Sequence, residues 1–263
     1  FQERRKFLAR TSNAAWLAKF VGLGRAGAGA LHRGKALHAI GITPQIAGLC
    51  HGFLIERWHD DAVPLDLRLY DRERLIDHVG GYLGARARHL PAEHRGASLA
   101  DLLEMARHNT RLALGSPSSA LLDRFTKRLP HLERSVEPIQ IDGRMHSWEW
   151  LVRRDGSLLK TDALDHHISH DLVGCQDVTW DLAGAATELE MAPGEVRRLG
   201  GITHLHSGRQ HDPELLQLMQ PCYLAFQLGR HSLAINSADR GEAHRLRAIV
   251  DRYAGRLAAI LAS

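Results

Sequence analysis

Residues 139–186, IQIDGRMHSWEWLVRRDGSLLKTDALDHHISHDLVGCQDVTWDLAGAA, decide how the rest of the chain is read. Asp155-Gly156 stands between two apolar runs and is a strong hairpin signal, because glycine takes the positive φ that a tight two-residue turn needs. The pattern predicts paired strands at residues 148–153 and 157–161. The second strand delivers Asp162 into a loop holding Asp165, His166, His167, His170 and Asp171. Carboxylates and imidazoles gathered at a strand end suit a metal ion or a phosphate; a purely structural loop has little use for so many. A helix is expected over residues 177–190, with Asp177 and Asp181 in its first turns, where carboxylates cap free N–H groups. Alternation along the first strand sets Trp148 and Trp150 on one face, expected in the core, and Glu149 on the other.

Working outward, residues 5–10 and 14–21 read as strands joined by a polar turn. Residues 25–39 read as an Ala-rich helix closed by Gly41. Residues 42–49 and 52–59 read as two more strands, and the polar, Pro-containing HDDAVPLD then breaks the pattern. Beyond it the character is helical. Residues 67–90 carry Leu75, Val79, Tyr82 and Leu83 at helical spacing. Ser98 opens a second helix with Asp101 in its first turn, and residues 118–135 form a third, interrupted near Pro130. Residues 211–235 and 240–262 are closing helices, while His204, His206 and His211 read as a solvated loop. The outline is α+β and bilobal: a small β-rich lobe at residues 1–58, a hinge at 59–65, and a larger, mostly helical lobe at 66–263 that contains the hairpin.

The chain has 263 residues with a net charge of +4, and its basic residues are scattered. Nucleic-acid binding calls for a clustered basic face, which is not visible. No apolar run is long enough for a membrane span. Cys50, Cys175 and Cys222 are few, odd in number and far apart, which points to a reducing, cytoplasmic setting. Oligomeric state leaves no mark in the sequence.

Four segments resemble the protein-kinase-like phosphotransferases, nearest the aminoglycoside and choline kinase branch. WLAKF resembles the N-lobe strand whose lysine pairs the nucleotide phosphates, here Lys19. GFLIERWH resembles the strand and hinge that hold adenine, with Glu56, Arg57 and Trp58 offering backbone groups. LLKTD resembles the strand ending in the metal-binding aspartate, here Asp162, with Glu149 as a second oxygen ligand. QDVTWDLAGA resembles the helix start whose aspartates, here Asp177 and Asp181, brace the catalytic loop. The resemblance implies ATP and Mg²⁺ as cofactors and a small hydroxyl-bearing acceptor.

The family's catalytic loop reads roughly H-G-D-x-x-x-x-N, and DGRMHSWEW departs from it. One register sets Arg144 at the base position and Glu149 at the Asn position; the other sets Asp142 at the base and Ser147 at the Asn. His146 lies in the same loop. An arginine accepts no proton, so the first register implies either another base or a binding module without transfer chemistry. The N-lobe helix offers Lys19 no acidic partner, and the Gly-rich phosphate loop of the family would lie ahead of residue 1.

Two other readings compete. His166 and His170, four apart, would ligate a transition metal in a hydrolase if their segment were helical. Gly22-Leu-Gly24-Arg-Ala-Gly27 matches a dinucleotide fingerprint, but no acidic residue follows near the required spacing; after Glu3 the next is Glu56. Lys19 itself is unusual in mid-strand, sharing a face with Leu17 and Val21.

Overall fold

A computed structural model describes residues 5–168 and 172–263; His170 and Asp171 of the acidic loop lie outside the described residues. The chain is α+β, as the sequence implies. Its first sheet is antiparallel, in the order β1-β2-β4-β3, formed by β1 (Lys6–Arg10), β2 (Ala15–Phe20), β3 (Ile46–Cys50) and β4 (Phe53–Trp58). Between β2 and β3 runs α1 (Gly24–Ala39), which packs on β3 and ends before Gly41, whose φ is +77°. An antiparallel sheet excludes the dinucleotide fold, which needs parallel strands linked by helices.

A second sheet, order β5-β6-β7, is made by β5 (Val63–Pro64) in the connector and by the hairpin β6 (Trp150–Val152) and β7 (Leu158–Lys160). The hairpin is shorter than alternation suggests. Ser147–Glu149 forms a 3-10 turn, so Trp148 is 60% exposed while Trp150 is buried. Alternation fails there because a turn, unlike a strand, does not send neighbouring side chains to opposite faces.

The remainder is helical. It contains α2 (Arg72–His89), α3 (Leu99–Leu114), α4 (Ser116–Ala120), α5 (Leu129–Ser135), α6 (Thr179–Glu188), α7 (Pro193–Ser207), α8 (Pro213–Ile235) and α9 (Arg240–Ala262). Ser98 caps α3 in a reciprocal capping box with Asp101. The region expected as one interrupted helix is α4 and α5 joined by a 3-10 segment, Leu121–Arg128. The core joins Leu75, Val79 and Leu83 of α2 to Leu102 and Leu103 of α3 and to Leu218 and Leu224 of α8.

Helix α7 is the element the sequence does not declare, and its end, with His204 and His206, reads as loop. It forms because it packs along α2. A Cβ on Gly80 or Gly84 of α2 would strike Ile202 or His206 at 2.6 and 2.4 Å, so the two helices approach closely. Such packing outweighs weak helix propensity.

Candidate functional site

Lys19 lies on β2 facing the helical lobe, and Asp162 lies just beyond β7. Their side chains form a short ion pair, and Asp165 Oδ2 is 3.8 Å from the same ammonium. Lys19 is buried, so its charge is held by these carboxylates, not by water. Asp162 has φ +53°, a left-handed conformation that costs a non-glycine residue about 1 kcal/mol or more. Burial opposes its ionisation, but a hydrogen bond from His166 and the charge of Lys19 hold its carboxyl well below the usual range. His166 bridges inward: Nδ1 contacts the Asp142 carbonyl at 2.9 Å, and Nε2 lies 3.6 Å from Asp162 Oδ2. Asp162, Asp165 and His166 each offer a ligand atom, all within 4.8 Å of one another.

Behind this front lies a buried ionic cluster. Asp142 is fully buried and accepts from Tyr82 Oη; Lys160 Nζ is 3.2 Å from its Oδ2. Burial would raise its carboxyl, yet Lys160, His166 and Arg86 hold it low. Arg86 of α2 donates to the carbonyls of Gln140 at 2.6 Å, Ile141 at 2.9 Å and Ala163 at 2.7 Å, stitching the loop before β6 to the loop after β7.

The two aspartates at the start of α6 brace this loop, as their place in the sequence suggests. Asp181 accepts the amides of Asp142 and Gly143 at 2.8 Å each. Burial and the Asp142 charge push its carboxyl up to about 6. Asp177 accepts the amides of Glu137 and Thr179 at 2.9 Å.

The candidate base positions separate by burial. Asp142 has no solvent-facing side from which to take a proton, while Arg144 is half-buried. His146 is buried against Glu188, Nδ1 to Oε2 2.9 Å, with Trp148 stacked on its ring at 4.2 Å. Glu188 also accepts from Tyr223 and Tyr253 at 3.1 and 2.7 Å, which anchors His146 in the helical lobe. Glu149, expected beside a metal, pairs with Lys160 Nζ at 2.7 Å instead.

Glu56 shares the Lys19 face of the sheet, and burial raises its carboxyl against the pull of Lys19. With Lys160 and Asp162 it lines a cavity of about 10 Å³, room for one water. The backbone of Glu56 and Arg57 is less available than expected. Strand β4 is flanked by β2 and β3, and the Arg57 amide already donates to Gln45 O at 2.7 Å. Trp58 is 41% exposed, its indole donating to Asp60 at 3.0 Å. The glycine motif is the entry turn of α1, with φ +106° at Gly22 and +56° at Gly24. His204 and His206 lie in the last turn of α7.

Lys160, Arg86 and Arg33, whose guanidinium donates to the Leu164 carbonyl, are the site-building residues that sequence reading passed over. Each carried the signal that marked Lys19: a cation on an apolar face. Lys160 follows Leu158 and Leu159 in a buried strand, and Arg86 falls in line with Val79 and Leu83.

No protein-family model matches the chain, and no curated protein matches it in sequence. Solved structures do match. Choline kinase LicA from Streptococcus pneumoniae superposes with a TM-score of 0.61 at 16% identity, covering 98% of this chain and 89% of that one. The same kinase has been solved in complex with AMP. A choline/ethanolamine kinase family protein from Mesorhizobium loti gives 0.60 at 11% identity, over 98% and 85%. A spectinomycin phosphotransferase in complex with ADP and spectinomycin gives 0.59 at 12% identity, over 100% and 90%. At these identities the likeness is one of fold: the chain shares the fold of these solved small-molecule kinases and phosphotransferases.

Proposed function

We propose that this chain is a phosphotransferase that moves the terminal phosphate of ATP to a hydroxyl of a small molecule. The observation that carries this is the Lys19–Asp162 pair, which joins the β-sheet lobe to the loop after the hairpin. Lys19 supplies positive charge for the phosphates. Asp162, Asp165 and His166 fit a divalent cation, since their ligand atoms already converge. When bound, such an ion neutralises charge on the phosphate oxygens; Mg²⁺ is the expected ion, and the imidazole also suits Mn²⁺. The bracing by Asp181 and Arg86 keeps the carboxylates fixed as the substrate's charge redistributes.

In the transfer, the acceptor oxygen bonds to the γ-phosphorus, the bond from that phosphorus to the β,γ-bridging oxygen breaks, and the hydroxyl proton leaves to water. Arg144 takes no proton and Asp142 is sealed in, so neither serves as the base. General-base help is worth roughly 10²–10⁴ in rate. Phosphoryl transfer rests mainly on positioning and charge, so slow turnover survives the loss. Incubation with γ-labelled ATP and a panel of amino alcohols and aminoglycosides tests this: a labelled acceptor that vanishes in Asp162→Asn supports it. ATP that binds but labels no acceptor supports a second reading, a binding module without transfer, which Arg144 in the loop favours.

A further inference from the structure

Lys160 is unused by the proposed transfer, yet its ammonium lies 2.7 Å from the carboxylate of Glu149 and 3.2 Å from that of Asp142. It ends β7, two residues before Asp162, and its side chain is fully buried. An ammonium carries three N–H donors. Here they meet three oxygens: Glu149 Oε2 at 2.7 Å, Thr161 O at 2.8 Å and Asp142 Oδ2 at 3.2 Å. The Trp150 ring lies beneath it, 5.9 Å from Nζ to the centroid. The cation is thus coordinated by oxygen on every donor. Removing an ammonium from water costs several kcal/mol, which only such a complete set offsets.

Kinase-type transfer ordinarily uses two divalent ions, one on the strand-end aspartate and one on the Asn-position residue of the catalytic loop. In the Arg144 register Glu149 stands at that second position, and its carboxylate is already neutralised. We infer that Lys160 is a resident cation that fills the second-ion position, so that the nucleotide site takes one divalent ion, at Asp162, Asp165 and His166. The inference rests on the proposed function.

Mn²⁺ binding to the full chain, read by electron paramagnetic resonance with a non-hydrolysable ATP analogue, tests it. One tightly bound Mn²⁺ per nucleotide complex is expected. Glu149→Gln should leave that affinity within about twofold, because Glu149 touches Lys160 and not the ion, whereas loss of a group that supports a metal weakens binding about tenfold or more. Lys160→Met should admit a second Mn²⁺ on the freed carboxylates. If that variant fails to fold, the Glu149→Gln result decides alone. Two ions in the unaltered chain, or a tenfold loss in Glu149→Gln, overturn the inference and leave the phosphotransferase reading standing. No Mn²⁺ at all, with or without nucleotide, overturns both.

Discussion

The guanidinium of Arg33 donates to the carbonyl of Leu164 at 2.6 Å, tying α1 to the loop that begins at Asp162. A helix carboxylate paired with Lys19 would be the ordinary device at this place in the fold; α1 has none, and Lys19 turns to Asp162 instead. The sheet and its helix are therefore tied to this loop twice, by the Lys19–Asp162 ion pair and by an arginine-to-backbone bond. Arg33→Met should leave that carbonyl unpaired and cost about 1–3 kcal/mol. A urea midpoint unchanged from the parent would show that the bond contributes nothing.

Asp181 holds two amides inside the protein. Asp181→Ala leaves both donors without an acceptor, at about 1–3 kcal/mol each. Urea unfolding should show a clear fall in stability, and no fall would mean that the loop around Asp142 is held by Arg86 and Tyr82 alone.

The two tryptophans of the hairpin region should behave differently. Trp150→Ala removes a buried ring and should cost about 3–5 kcal/mol. Trp148→Ala removes an exposed ring stacked on His146 and should cost under about 1 kcal/mol. Equal losses would contradict the 3-10 turn that separates them.

That pair also marks where the sequence stops being legible. The order of strands before helices, the Asp-Gly turn and the helix start at Ser98 are local patterns, and local patterns are written in neighbouring residues. The partners of Asp142 and Glu149 are not. Tyr82 of α2, 60 residues earlier in the chain, reaches Asp142, and the hairpin turn carries Lys160 back to Glu149. For the same reason α7, held in place by packing on α2, has no local signature, and its end reads as loop. The choice between Asp142 and Arg144 stayed open in the sequence because burial, which separates them, has no local signature.

His231 stacks on Tyr253, centroids 5.7 Å apart, and burial with nearby Arg230 pushes its imidazole down to about 4. The unfolded chain takes up this proton near pH 6.5, and the folded chain only near 4. Between those values the unfolded state binds more protons, so this histidine's contribution is present above pH 6.5 and lost as pH falls towards 4. His231→Phe should lose less stability than the parent between pH 7 and pH 5 in urea titrations. An identical loss would show that His231 is not held neutral.

The most direct measurement is calorimetric titration of the purified chain with Mg²⁺–ATP, using Lys19→Ala and Asp162→Asn as companions. Saturable one-to-one binding that weakens at least about tenfold in each variant, roughly 1.4 kcal/mol, is expected if both residues hold the nucleotide's phosphates and ion. No binding, or binding that both variants retain in full, would contradict a nucleotide site at the Lys19–Asp162 pair.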